Sequence, residues 1–212
     1  MKNVFKLRVL AVMAIVTFSL SSKAFAQLPT DNENVFISLE LQGVLDLTLV
    51  TDPNLDFVFS TIPQYQNGIT KTNATELRVE STVEWDLSIN AETASWEVFE
   101  AYSAATTGSD AIPSSIIEVR AIDAAANSLI DGGGAANTYF PLTGTDFLNI
   151  IGDDPGTVTG DNSDGPGAPG TYLTSPDTHQ FRVDYRLSPG LDTYQAGYYG
   201  MNLIYTLAED LN

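Results

Sequence analysis

Four aspartates gather in one glycine- and proline-rich stretch. Asp153, Asp154, Asp161 and Asp164 lie within Gly152–Gly170, with Asn162 between them. Carboxylate and amide oxygens at short spacing are the donor set for a hard cation, and calcium is the cation that exported proteins meet at millimolar levels. Calcium is the one cofactor the sequence suggests. The spacing departs from the EF-hand loop: counting from Asp161, the third and fifth places hold Ser163 and Gly165, where acidic or amide groups belong. The simpler reading of the same residues is a solvated acidic loop.

Other chemistry is poorly supplied. His179 is the single histidine and there is no cysteine. That removes two-histidine metal sites, thiolate zinc sites, thiol catalysis and most hydrolase triads. His179 itself reads as an exposed residue on a turn entering a strand. Carboxylate pairs are plentiful among the 27 acidic residues. A glycosidase, however, needs one carboxyl whose pKa burial has raised, and nothing in the pattern selects such a pair. The expectation is therefore a protein that is not an enzyme. Trp85 and Trp96 are candidates for stacking on a carbohydrate, but Trp85 shares parity with Val83, Leu87 and Ile89 and reads as core. Tyr194, Tyr198 and Tyr199 could form an exposed patch, although strand-end tyrosines more often bury the ring and solvate the hydroxyl. Arg78, Arg120, Arg182 and Arg186 fall on expected strands, where cross-strand pairing with outward carboxylates is the plain role.

The elements that would carry these residues alternate with period two, the mark of half-buried strands. Val35, Ile37, Leu39, Leu41, Leu45, Leu47 and Leu49 share one parity. Gly43 interrupts them as a bulge or kink dividing one long strand in two. Leu55, Phe57 and Phe59 predict another strand, and Ile62–Gly68 a loop with a tight turn at Asn67-Gly68. Leu77 and Val79, then Val83, Trp85, Leu87 and Ile89, predict two strands joined by a turn or sharp bend, with Glu84, Asp86 and Ser88 outward. Val98 and its neighbours, Ile116–Val119 with a possible extension towards Ile122, and Phe147–Ile151 supply further apolar pieces. Ala121–Ala126 reads as a short helical turn. Gly152–Gly170 has almost no apolar side chains and reads as a long surface loop. At the end, Phe181, Val183, Tyr185 and Leu187, then Tyr199, Met201, Leu203, Tyr205 and Leu207, predict a closing hairpin with Tyr185, Tyr199 and Tyr205 inward. No amphipathic helix of ordinary length appears. The fold expected is all-β: a single antiparallel β-sandwich, immunoglobulin-like or a related Greek key, with long Gly/Asp-rich loops.

The first 26 residues have a basic head (Lys2, Lys6, Arg8), an apolar run Val9–Leu20 and an Ala24-Phe25-Ala26 end. This is the pattern of a cleaved secretory signal peptide. Residues 27–34 then form a flexible leader and 35–212 the β-sandwich domain. No transmembrane segment is expected in the mature chain. Cleavage removes four of nine basic residues and none of the 27 acidic ones, taking the formal charge from −18 to five minus 27, or −22. Such a chain repels nucleic acid and anionic lipid.

Two stretches resemble known bacterial families. Trp85-Asp86-Leu87, within Val83–Ile89, resembles the first Trp-x-Leu motif of WxL-type surface proteins. Near the C-terminus, where a second such motif would stand, this chain has Tyr205-Thr206-Leu207. Tyr194–Gly200 and the strand after it resemble the closing segment of spore-coat-U-like and fimbrial secreted β-sandwich proteins. The resemblance covers Thr75–Ile89 and Tyr194–Leu207. It implies cell-surface or pilus-associated, non-enzymatic roles, and for WxL domains attachment to the cell wall. The expected function is a non-enzymatic exported bacterial surface protein, structural or adhesive, with fimbria-like assembly as one mode. It would be exported to the cell surface, the extracellular space or the periplasm. Its partners would be other surface proteins, further copies of itself, or cell-wall or host glycan. Val35–Val50 is the candidate for strand addition to a neighbour, against pairing within its own chain. The competing function is a calcium- or carbohydrate-binding secreted module using loops 101–110 and 152–170.

Overall fold

A computed structural model describes residues 36–102, 111–130, 138–152 and 165–210. The chain divides into two units, Met1–Leu41 and Gln42–Asn212. The second unit is almost entirely β. Its elements are β1 (Leu45–Leu49), α1 (Ile62–Asn67), β2 (Ile69–Ser81), β3 (Trp85–Ala91), β4 (Glu97–Ala101), β5 (Ile117–Asp123), β6 (Phe140–Pro141), β7 (Leu148–Ile151), β8 (Gly170–Thr171), α2 (Pro176–His179), β9 (Gln180–Leu187), β10 (Gly197–Gly200) and β11 (Leu203–Glu209). Every strand pair is antiparallel. Six strands form the largest sheet, in the order β1-β2-β9-β5-β6 with β8 also on β2. Three form a second sheet, β11-β3-β7, and β4 and β10 form a two-stranded ribbon.

The period-two rows become the core. Leu77 and Val79 of β2, Val119 and Ala121 of β5, and Phe181, Val183 and Tyr185 of β9 are buried from the large sheet. Trp85, Leu87 and Ile89 of β3 and Leu148 and Ile150 of β7 meet them in the same cluster. The bend after β2 is what brings β3 there. Ser81 donates its hydroxyl to the Val83 carbonyl, and the Val83 amide donates back to the Ser81 hydroxyl at 3.0 Å. Thr82 ties this corner to the chain entering β1: its amide donates to the Val44 carbonyl, and its hydroxyl accepts from the Val44 amide at 2.8 Å. β2 and β3 therefore belong to different sheets, which matches a sharp bend.

Several expectations need correction. The predicted strand through Val35–Val50 survives only as Leu45–Leu49. β1 starts opposite Ser81, the last residue of β2. Beyond Ser81 the partner strand turns the corner, and the contact continues only as the two hydrogen bonds between Val44 and Thr82. Leu55, Phe57 and Phe59 do alternate and pack against the core, yet they form no strand. Ile62–Asn67 is a helix rather than a loop. Pro63 sits in its first turn, and the Gln64 side-chain oxygen accepts from the Ser60 and Thr61 amides at 2.8 and 2.9 Å. Gly68 ends it with φ +75°; a side chain there would also run into the Leu187 carbonyl. The helical turn expected at 121–126 is instead the end of β5, closed by the Asp123 carboxylate accepting from the Asn127 amide at 2.7 Å. The last two long strands are not a hairpin: β9 is central in the large sheet and β11 lies at one edge of the other. Tyr185 and Tyr205 do meet, hydroxyl to hydroxyl, whereas Tyr199 belongs to the ribbon.

The outward row of β3 is the largest departure. Asp86, Ser88 and Asn90 are as buried as the inward row. Small polar side chains on the second parity resemble a solvated face in sequence, but here that face is covered as well.

Candidate functional site

The calcium candidates Asp153, Asp154, Asp161 and Asp164 lie outside the described residues. Among the described residues, no group of three or more His, Asp or Glu side chains could hold a metal ion. Of loop 101–110, Ala101 ends β4 and Tyr102 follows it, both exposed. The described part of 152–170 is not a free surface loop. Gly167 exchanges two backbone hydrogen bonds with Trp85, and a Cβ at Gly167 would fall 2.2 Å from the indole. Glycine is needed there because the backbone itself packs on the Trp85 ring. The Trp85 indole N–H donates to the Ala168 carbonyl at 3.0 Å.

His179 is part of the same closure and is buried, contrary to the exposed position expected. One ring nitrogen, Nε2, is 3.1 Å from the Ala168 carbonyl, and Nδ1 is 2.8 Å from the Thr178 hydroxyl. Nε2 is the donor towards the Ala168 carbonyl, which can only accept. Its face lies against Trp85, with ring centroids 5.7 Å apart. Trp85 and His179 thus clamp residues 165–170 onto the core. Trp85 is wholly buried, as its parity predicted, and offers no surface to a sugar.

The arginines occupy one face of the large sheet, opposite the core. Arg120 stands across from Asp184 in the β5–β9 register and pairs with it, and Arg186 pairs with Glu118 at the next such position. Asp184 is buried and also accepts the Asn73 amide at 2.6 Å. Asn73 sits in the β2 bulge with φ +50°. Tyr139 lies under both guanidiniums, 5.0 Å from Arg120 and 4.6 Å from Arg186. Burial raises the Tyr139 phenol above its ordinary value, while the neighbouring Arg120 charge acts to lower it. Arg78 pairs with Glu76 within β2 and packs on Tyr172. Arg182 donates to the Asp123 carbonyl at 3.2 Å. Cross-strand pairing is as expected for Arg120 and Arg186; the other two use a same-strand carboxylate and main-chain carbonyls. All four guanidiniums are engaged within the chain, which leaves this face a poor receiver of an outside anion.

Unsatisfied binding capacity lies instead at an edge and in the segment before it. β1 ends the large sheet, and among the described residues no strand pairs with its outer side. Val44, Leu49 and Val50 are exposed on and beside it. In the other unit, Phe36, Ile37, Leu39 and Leu41 are all at least 80% exposed. Ile37, Leu39 and Leu41 share one parity, so an extended backbone presents them along a single side. An exposed apolar row and an edge strand with unpaired backbone groups are each a template for pairing with another chain. The sequence signalled this row clearly; its exposure was not visible there.

In comparison with known proteins, the chain matches no family model and no curated protein. The two stretches that carry the WxL-like and spore-coat-U-like resemblance are adjacent in the fold: Tyr205 stands opposite Ile89 and Leu207 opposite Leu87 in the β11–β3 ladder.

Proposed function

We propose that this is a non-enzymatic exported surface protein, structural or adhesive, built as a β-sandwich and assembling by strand addition. Residues 36–41 of one copy would lie along the β1 edge of a second copy and extend its large sheet. The observation that carries the reading is the exposed row Ile37, Leu39, Leu41 in a chain whose β1 has, among the described residues, no strand on its outer side. Main-chain hydrogen bonds would supply affinity, and alternate apolar side chains the register. Burying each of the three side chains contributes about 1.5–3 kcal/mol, enough together to offset part of the association cost. Donor and acceptor are different surfaces, so the contact is head-to-tail and grows into filaments unless a rotation closes a ring. The signal-peptide pattern and the family resemblance support export to a surface, and a single, enclosed histidine supports a non-enzymatic role.

The test is the size distribution of the secreted chain by analytical ultracentrifugation and electron microscopy, with and without Leu39→Asp. Concentration-dependent oligomers that Leu39→Asp reduces to folded monomers support the reading. A wild-type chain that stays monomeric at high concentration ends it. Cell fractionation tests the location separately. A rise in melting temperature at millimolar calcium, through ligand linkage, would favour the calcium-module reading of 152–170 instead.

A further inference from the structure

The β4–β10 ribbon carries a second surface with its own chemistry. All five residues of β4 are exposed. Phe99 and Tyr198 remain 59% and 56% exposed although their rings touch, with centroids 5.7 Å apart and planes inclined by 38°. Tyr102 follows β4 and is also exposed. Gly200 lies directly under Phe99: a Cβ there would fall 2.3 Å from the ring. The backbone beneath therefore fixes the height and tilt of the ring before any ligand arrives. Glu97 and Glu100 flank the rings, standing across from Gly200 and Tyr198 in the ladder.

We infer that Phe99 and Tyr198 form a stacking platform for a neutral glycan of pyranose units with equatorial hydroxyls. Such a sugar has an apolar face of axial C–H groups that matches an aromatic ring, and an equator of hydroxyls that can donate to carboxylates. Hydrogen bonds to an ionised acceptor are the stronger kind, and Glu97 and Glu100 stand where a stacked sugar would offer them. The rival occupants fit less well. A protein interface needs about 800 Å² per partner and excludes Glu and Asp from its centre; this is a short ribbon with two glutamates among the rings. A second copy of the ribbon would set those glutamates against their equivalents. An acidic polysaccharide would meet a chain of net charge −18. This inference rests on the adhesive form of the proposed function, for which it names the ligand class.

The experiment is isothermal titration of the full-length secreted chain with cellohexaose, chitohexaose and polygalacturonate. Binding of at least one neutral oligosaccharide and none of polygalacturonate is expected. Phe99→Ala and Tyr198→Ala should each weaken binding about tenfold with an unchanged melting temperature, since both rings are more than half exposed. Gly200→Ala keeps both rings but pushes Phe99 aside, and should weaken binding as well. No binding of either neutral oligosaccharide overturns the inference, as does equal affinity in the Phe99→Ala/Tyr198→Ala double variant. A double variant that loses self-association instead would make the ribbon a protein interface, which also overturns it. None of these substitutions touches residues 36–41, so the outcome is separate from that of Leu39→Asp.

Discussion

The outer face of the six-stranded sheet and the β4–β10 ribbon are both surfaces, but they dispose of their side chains in opposite ways. On the sheet, Arg120, Arg186, Asp184 and Glu118 answer one another across the β5–β9 ladder, and Tyr139 closes over the two guanidiniums. Its interaction capacity is used up within the chain. On the ribbon, Phe99 and Tyr198 touch each other, Phe99 rests on Gly200, and both rings stay more than half exposed. Residues 36–41 share the ribbon's condition, with exposed apolar side chains. The difference separates a surface whose side chains pair within the chain from surfaces whose apolar side chains stay exposed. Substitutions in the first class should move stability and leave association alone; substitutions in the second should do the reverse.

The largest effect is expected at Trp85, where the clamp on residues 165–170 meets the core. Trp85→Ala removes a fully buried ring and the anchor of Ala168, and should cost about 3–5 kcal/mol in denaturant unfolding. A cost under 1 kcal/mol would show that the glycine-rich segment is held without it. Asp184→Ala comes next, at roughly 3 kcal/mol, because it removes a buried carboxylate that accepts from both the Arg120 guanidinium and the Asn73 amide. Were this variant to change oligomeric size instead of stability, the sheet face would have to be counted among the binding surfaces.

Tyr205→Phe probes the contact between the two sheets at a smaller scale. Tyr185 hydrogen-bonds to the Thr75 hydroxyl at 2.7 Å and to Tyr205. Burial raises the pKa of Tyr185 and pushes that of Tyr205 well up. A phenol whose folded pKa is raised holds its proton longer in the native state than in the unfolded one. Its contribution is complete below the unfolded value near 10 and is lost as pH rises through the folded value. Stability should therefore fall above about pH 10, and Tyr205→Phe should make that fall shallower while costing about 1 kcal/mol at neutral pH. Parallel alkaline profiles for wild type and variant would argue against the buried pair. Leu39→Asp has the smallest effect on stability, within about 0.5 kcal/mol, with its consequence confined to assembly. If it destabilises the monomer, residues 36–41 are bound within their own chain and the contrast between the two classes of surface fails there.

Much of the fold was legible because alternation is a local property. Leu77 and Val79, Trp85 to Ile89, and Phe181 to Leu187 point inward as their parity requires. The misreadings share one cause. Asp86 and Ser88 have the same local pattern as a solvated face, and only the packing on the other side of β3 makes them buried. Residues 36–41 have the same alternation as β1, yet form no strand. His179 does stand on a turn entering β9, but its expected exposure gave way because the fold sets Trp85 and Ala168 against it. The ribbon platform was half visible: Tyr198 stood out, but Phe99 joins it through a pairing between residues about a hundred positions apart.

By itself, then, the sequence determined the class, the antiparallel strands and the side of most strands that faces the core, since a period of two needs no knowledge of distant residues. It also determined the strongly acidic balance and the absence of thiol chemistry. The tertiary structure decided which strands are neighbours, where the large sheet is left open, which glycines are points of close approach, and which aromatics remain exposed. Those outcomes depend on what lies across a ladder or over a face, and the partner in each case comes from a remote part of the chain.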